Sequence, residues 1–564
     1  MQSLLNIGVA GLLAAQHQLA TTSHNIANVA TPGYHRQTAL QTTPPPIRTG
    51  YGYASQGAQV EAVMRSYNQF LENQIRNSET SLAAHSAYRG QVGMLDNIFA
   101  DPETALSASI DRLFAAVHDI ANEPSSVPAR IAFLSSAENL VARFHSFTGQ
   151  LEDVRLGVEG RIAENMADVN RYSDAIATIN QQIVISESAG GGQPANDLRD
   201  QRDQQLLELN RLVKASAVLQ ADGQMTVYMG SGQPLVVGST ASVLTAFTAG
   251  EDPTRTQIAL QAADGSRIAL PEDLLGGGGS LGALMQFRRE TLDFAQNRIG
   301  LLATTLAIAF NEQHAQGIDL YGGAGQPLFT VPAVYTAPGG AATVTVDHTA
   351  LGALTDADYE LEFDGAAYTV TNLATGARRS GLAAETTVDF EGLLITPRAG
   401  GLAAGQTAII RPTRHAGLEI GVALRDPRGF AAALASDEPA ADDAPFSDFA
   451  DNRNANRLGA LQTTRLLLGH ATGSATPEST LGDAYASMVS IIGSRSRSAQ
   501  IGEQTQESLL KQAMATREGL SGVNLDEEAA NLVRFQTAYQ ASARLMTVAQ
   551  RLFGIRAVER KGVP

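Results

Sequence analysis

Residues Asn25 to Arg36 read NIANVATPGYHR, and this stretch decides how the chain is built. Pro32 has no N–H to offer a helix and disfavours helical backbone at Thr31, while Gly33 permits conformations that other residues resist. A helix running up to this point must stop, and the chain must turn sharply. Asn28, Thr31, Pro32, Gly33 and Tyr34 are therefore expected to form a turn that separates a terminal helix from the rest of the molecule.

Upstream of the turn, Leu5, Leu12, Leu19 and Ile26 recur every seven residues, with Val9 and Ala15 close to the same face. At the far end Leu525, Leu532, Tyr539, Met546 and Phe553 repeat the spacing, flanked by Ala529, Phe535, Ala543 and Ala549. Asn524 or Asp526 can cap that helix, and Glu527 and Glu528 suit its N-terminal dipole. Each terminus thus carries one narrow apolar seam, too greasy for water and too thin for a core helix. The seams are expected to pair only when neighbouring subunits bury them, leaving both ends largely disordered in a free monomer.

Between the ends the periodicity changes several times. Residues 66–99, 103–147 and 151–185 read as helices, the last a long coiled-coil segment with Val154, Val158, Ile162, Val169, Ile176 and Ile183 inward. The turn at 189–194 ends it, and residues 196–213 return as a second helix. From Ala217 the period falls to two, giving short strands at 225–229, 235–237 and 258–260. The glycine run 276–279 hands over to a helix at 281–314. A second strand-rich block spans about 331–425, where Asp364-Gly365 between alternating segments is a hairpin signal. Residues 436–449 read as a connector, and 451–521 as helical again.

The expected fold class is α+β and multidomain: a long α-helical coiled-coil shaft built from both termini, with inserted β-rich domains. Residues 1–50 and 522–564 would form a terminal helical domain. Residues 51–215, 280–320 and 448–521 would form the shaft. Residues 216–279 would form a first β-rich domain, and 321–447 a second, surface-exposed one with its connector. A chain of 564 residues is long enough for about three or four cores.

Composition excludes several functions. The formal charge of −17 argues against broad contact with nucleic acid or anionic membrane. The chain has no Cys, which removes disulfides, thiolate catalysis and Cys-ligated zinc. No apolar run reaches the roughly 18 residues of a spanning helix. The start lacks the basic region of a cleavable signal; its first acid is Glu61, although about six acids would fall in the first 60 residues at the chain's average.

No catalytic constellation emerges, so no enzyme, cofactor or metal is expected. His17, His24 and His35 lack metal-ligand spacing and read as solvated or partner-facing. Residues 276–279 lack the Lys and Ser/Thr of a phosphate loop. Asp356, Asp358, Glu360, Glu362, Asp364 and Gly365 alternate like a calcium loop, but Thr371 stands where a bidentate acid is needed. The solvent face of a strand is the favoured reading of Asp356 to Asp364, with calcium as a minor one.

Asn25-Ile-Ala-Asn28 followed by Thr31-Pro-Gly-Tyr34 resembles the N-terminal signature of the flagellar axial proteins, the rod, hook and hook-associated families. Ser521 to Asn531, followed by Phe535-Gln-Thr-Ala-Tyr-Gln-Ala-Ser542, is similar to their C-terminal signature. Ala195 to Asp203 (ANDLRDQRD), Phe310 to Gly317, Asp222-Gly and Gly232 to Leu235 point within that group to the hook-associated protein 1 family. The resemblance implies an extracellular structural protein of the hook–filament junction, exported unfolded through the flagellar type III apparatus and polymerised at the hook tip. It implies as partners further copies of the chain, the hook protein, hook-associated protein 3 and an export chaperone. The alternative is a flagellar surface protein whose outer β domain binds a ligand or carries an enzymatic insert.

Overall fold

The computed structural model describes residues 2–49, 52–54, 56–99, 105–230, 232–248, 255–261, 265–275, 277–434, 450–467, 469 and 476–561. Helix α1, Gln2–Ala27, ends just before the Thr31-Pro32-Gly33 turn, and Gly33 takes the positive φ of 76° that the turn requires. The chain then forms an antiparallel ribbon, with β1 (Gln37–Thr42) on β4 (Gln59–Arg65) and a tip hairpin of β2 (Ile47–Thr49) and β3 (Gly52–Ala54). Residues 43–46 form the bend between β1 and β2 of this ribbon. The alternation is weak in the sequence because Gln37 is buried while Leu40 and Met64 are exposed.

The shaft is helical. α2 (Gln69–Phe99) lies antiparallel against the late helix α11 (Leu481–Ser521), with Gly502 closing on His85 and Arg89 reaching Glu503. α3 (Leu106–Asn122) is followed by α4, which runs without a break over Val127–Ala189. This corrects the boundary near residue 150. The stop falls instead at Pro124 to Ser126, where the Ser126 side chain accepts from the Ala129 N–H at 3.4 Å and Pro128 sits in the first turn. At 1.5 Å per residue, α4's 63 residues span about 95 Å, nearly twice the length of the segment read from periodicity.

α4 ends where the sequence predicts, and α5 (Asn196–Leu212) returns along its last turns, burying Ile176, Ile183, Leu206 and Leu209; Val158, Ile162 and Val169 are buried further back along α4. The pairing also has a polar component. Arg202, 1% exposed, donates to Asn180 Oδ1 at 3.0 Å, and Asn180 receives the Met225 N–H at 3.0 Å. That hydrogen bonding ties the first strand group to the shaft: a four-stranded antiparallel sheet of β5 (Ala215–Leu219), β6 (Met225–Met229), β7 (Gln233–Val237) and β8 (Thr240–Ala241). A meander of β9 (Val243–Thr248), β10 (Thr256–Gln261) and β11 (Arg267–Leu270) follows.

A short α6 (Glu272–Leu275) leads to α7 (Gly279–Phe287), a π-turn over Arg288–Leu292, and α8 (Asp293–His314). Every residue from Ala295 to Phe310 is buried, which makes α8 the central rod. A methyl on Gly300 would stand 1.6 Å from the Thr413 carbonyl oxygen, so only glycine allows this contact.

The second strand block holds a five-stranded sheet, in the order Tyr335–Ala337, Gln406–Arg411, Tyr359–Phe363, Tyr368–Asn372, Arg378–Leu382. Beside it is a three-stranded sheet of Ala342–Val346, Leu393–Pro397 and Val388–Phe390. The Asp364-Gly365 hairpin forms as expected: Asp364 Oδ1 accepts the Ala366 and Ala367 N–H groups, and Gly365 has φ 100°. The solvent-face reading holds for Glu362 and Asp364, which are exposed, and is corrected for Asp356 and Asp358. Asp356 pairs with Arg298 at 2.8 Å, and Asp358 takes Arg414 at 2.6 Å and Asn297 at 2.9 Å. Those carboxylates close an interface with α8, and among the described residues no His/Cys/Asp/Glu group is placed to hold a metal ion.

The short helix α9 (Ala416–Glu419) follows this block. The connector expected at 436–449 lies outside the described residues. Beyond it the helical reading over 451–521 resolves into α10 (Arg453–Ala460) and α11, with Leu467 bridging Ser479 between them. The closing helix α12, Leu525–Lys561, returns antiparallel to α1. The described chain is mixed α and β, dominated by long helices; among the described residues no helix is long and apolar enough to cross a membrane.

Candidate assembly joint

The Asn25 to Arg36 stretch folds into a clasp. Asn25 is 1% exposed; its amide donates to the Gln37 carbonyl and its Oδ1 accepts the Gln37 N–H, both at 2.9 Å. Tyr34 donates its hydroxyl to the same Oδ1 at 2.7 Å. One side chain thereby satisfies both backbone groups of Gln37 and the Tyr34 hydroxyl. Asn28 donates to the His24 carbonyl at 3.0 Å, and Thr31 donates to Asn28 Oδ1 at 3.2 Å. A side chain on Gly33 would meet Gln204 Oε1 at 2.8 Å.

Two distant segments close on this clasp. From α5, Asp200 accepts the His35 N–H at 3.0 Å and faces His35 Nδ1 at 2.8 Å, while Asn196 donates to the Val63 carbonyl at 2.7 Å and Asp197 accepts from Gln37 at 2.8 Å. From the C-terminal signature, Ser521 offers its carbonyl to the Arg36 N–H at 3.0 Å. The Arg36 guanidinium donates to Glu528 at 2.7 Å and pairs with Glu527 at 3.0 Å. The N-terminal signature, ANDLRDQRD and the C-terminal signature, read separately in the sequence, are three sides of one joint.

His35 sits at its centre, 2% exposed, which corrects the solvated or partner-facing reading of this histidine. Its Nε2 lies 3.1 Å from Glu72 and its Nδ1 against Asp200, so both nitrogens face carboxylates. Burial alone would lower its pKa; the two carboxylates outweigh that and push it up to about 9. The Glu72 carboxyl, raised by burial, is held below its usual range by His35. Arg65 bridges Asp200 at 2.6 Å and Asp203 at 2.7 Å and lies over the Tyr67 ring. Sequence reading passed over Asn25, His35, Arg36, Arg65, Glu72, Asp200 and Glu528 as functional residues. For Asn25, His35, Arg36, Asp200 and Glu528 the signal available was their place inside the quoted segments; Arg65 and Glu72 lie outside all of them and carried none.

Beyond the joint, α1 and α12 lie side by side within one chain, which corrects the expectation that they meet only when neighbours bury them. Small residues let them approach: a methyl on Gly8 would be 3.1 Å from Met546 Cγ, and one on Gly11 would be 2.9 Å from Ser542 Oγ. Leu5, Leu12, Leu19 and Ile26 are half-buried along α1, as are Leu532, Phe535 and Met546 on α12. Leu525 and Tyr539 are exposed, and the side chain of Phe553 lies outside the described residues. The heptad row on α12 thus partly faces α1, with Leu545 reaching Gly8 at its edge, and a different apolar set points outward: Val533, Val548 and Leu552, together with Val9 and Leu13 of α1.

Comparison with known proteins agrees with this anatomy. Residues 92–329 match the flagellar hook-associated protein FlgK helical domain. Residues 5–35 match the flagella basal body rod protein family, and 520–555 the C-terminal family of the flagellar basal body rod FlgEFG proteins. The chain is 34% identical over 562 residues to flagellar hook-associated protein 1 of Salmonella typhimurium, covering 98% of this chain and 99% of that one. It is 33% identical to the Escherichia coli protein of the same name, with the same coverage. The flagellar hook junction protein FlgK of Burkholderia pseudomallei superimposes with a TM-score of 0.69 at 25% identity, over 80% of this chain and 100% of that structure. With an apolar-seamed helix at each end, one joint where both ends meet the shaft, and matches of this length, the chain belongs to the flagellar hook-associated protein 1 family.

Proposed function

We propose that the chain is a structural component of the flagellar hook–filament junction, which polymerises on the hook tip through its terminal helix pair and links hook to filament. The observation that carries this reading is the outward apolar set on α12, Val533, Val548 and Leu552, on a pair that the joint holds at one end of the shaft. Such a stripe is costly in water and fits a second copy of the chain. In this reading residues 1–50 and 522–564 form the assembling domain, 51–215, 280–320 and 448–521 the coiled-coil shaft, and 216–279 and 321–447 two β-rich domains. Its neighbours are the hook protein and hook-associated protein 3, and an export chaperone precedes them in the cytoplasm. It acts by packing, without catalysis: the acids Asp356 and Asp358, which offered the outer block a ligand site, are engaged by arginines.

Two double variants test it. Val533→Asp with Val548→Asp places charges on the outward face, which cannot be desolvated cheaply. It is expected to keep the α1–α12 pair and the shaft but abolish addition to isolated hook ends. Leu532→Asp with Met546→Asp is expected to separate the pair as well. Normal addition by the first variant would overturn the reading.

A further inference from the structure

The joint contains a buried positioning group whose charge its geometry dictates. A neutral imidazole has one N–H, yet Nδ1 of His35 is 2.8 Å from Asp200 and Nε2 is 3.1 Å from Glu72. Against two ionised carboxylates, both contacts are hydrogen bonds only if the ring carries two protons. The surrounding charges agree. α5 brings Asp200 and Asp203, and α2 brings Glu72 and Arg76. β4 brings Arg65, Tyr67 lies two residues beyond it, and α11 brings Arg517, 4.0 Å from Glu72. Of these cations only Arg65 makes a close ion pair with the acids facing His35. Without the second proton, Glu72 would lose its nearest cationic partner while remaining about as buried, a costly arrangement.

The ring also links the parts that must be aligned. Asp200 lies on α5 and Glu72 on α2, whereas His35 follows directly on the turn that ends α1. We propose that His35 is a proton-operated positioning residue: as an imidazolium bridging Asp200 and Glu72 it fixes the turn at 28–36 on the shaft, and so the direction in which the terminal pair leaves it, and loss of a proton frees that turn. The inference rests on the assembly reading for its biological consequence alone. Because the folded protein binds this proton more tightly than the unfolded chain, its stabilisation is fully present below the ordinary histidine pKa of 6.5 and fades as pH rises through about 9.

The test uses the full-length free protein. Nuclear magnetic resonance of ring-labelled histidine, with the His35 signal assigned by its loss in His35→Gln, is expected to give a midpoint near 9; a midpoint at or below 6.5 overturns the proposal. The absence of native cysteine allows spin labels at Val29→Cys on the turn and Arg161→Cys on α4. Their distance distribution is expected to be narrow at neutral pH and to broaden through the same midpoint, while His35→Gln is broad and pH-independent. A wild-type distribution that is already broad at neutral pH, or that stays narrow above the midpoint, overturns it, as does a narrow distribution in His35→Gln. The wild-type titration stands even if His35→Gln folds poorly. Failure here leaves addition to hook ends unaffected, and failure of addition leaves this titration unaffected, so the two readings fall separately.

Discussion

Glu528→Gln removes one charge from the contact that brings the two ends of the chain together. The Glu528 side chain is 2% exposed and accepts from Arg36 Nε at 2.7 Å, whereas the Arg36 side chain is 24% exposed and also holds Glu527, itself 59% exposed, at 3.0 Å. Deleting one partner of a fully buried pair costs about 3–5 kcal/mol because the other charge is stranded. Here Arg36 keeps Glu527 and access to water, and glutamine keeps one acceptor, so a smaller cost of about 2 kcal/mol is expected. At roughly 1.4 kcal/mol per decade, that corresponds to about 30-fold more frequent opening of the first turns of α12. Native-state hydrogen exchange of a peptide covering residues 525–534 reads this directly, with the α4–α5 amides as internal reference. Unchanged exchange at 525–534, or an equal rise throughout the shaft, would refute the idea that this ion pair pins α12 locally at the joint.

Two further variants probe what holds the shaft to its strand blocks. Gly300→Ala forces a methyl into the Thr413 carbonyl and is expected to destabilise by more than about 3 kcal/mol, seen as a lower denaturation midpoint with α1 and α12 unaffected. Asp358→Asn removes a carboxylate from Arg414 and Arg411, 6% and 2% exposed, while Arg414 keeps Asp293 of α8 at 3.1 Å. A loss of about 2 kcal/mol is expected, read by urea titration; a neutral result would mean water reaches those guanidinium groups.

Much of this was legible in the sequence where one local rule dominated. Pro32 and Gly33 set the end of α1, the glycine turn at 190–192 sets the end of α4, and Asp364-Gly365 sets a hairpin. What was not legible depended on contacts distant along the chain. A seven-residue row identified α12 as a seam helix but not which partner each face meets, because Gly8 and Gly11 draw α1 against Met546 and Ser542 and turn Val533 and Val548 outward. His35 carries no spacing signal, since Glu72 and Asp200 lie 37 and 165 residues away. Asp356 and Asp358 read as part of the solvent face that Glu362 and Asp364 do form, because nothing local revealed Arg298, Arg411 and Arg414 opposite them.

The central claim is that the joint anchors the near ends of α1 and α12, while their far halves wait for neighbouring copies. The two halves differ in what holds them: near the joint, Asn25, Tyr34 and Arg36–Glu528 make buried polar contacts, whereas α12 beyond Leu532 buries only Ala549 among its described apolar side chains. Limited proteolysis of the free protein, with every cut mapped, tests this most directly. The account predicts early cuts before Thr22 and after Leu532, a resistant core that retains the joint, and protection of both regions once the protein has added to hook ends. Ends as resistant as the shaft in the free protein, or cuts that persist after addition, would contradict it.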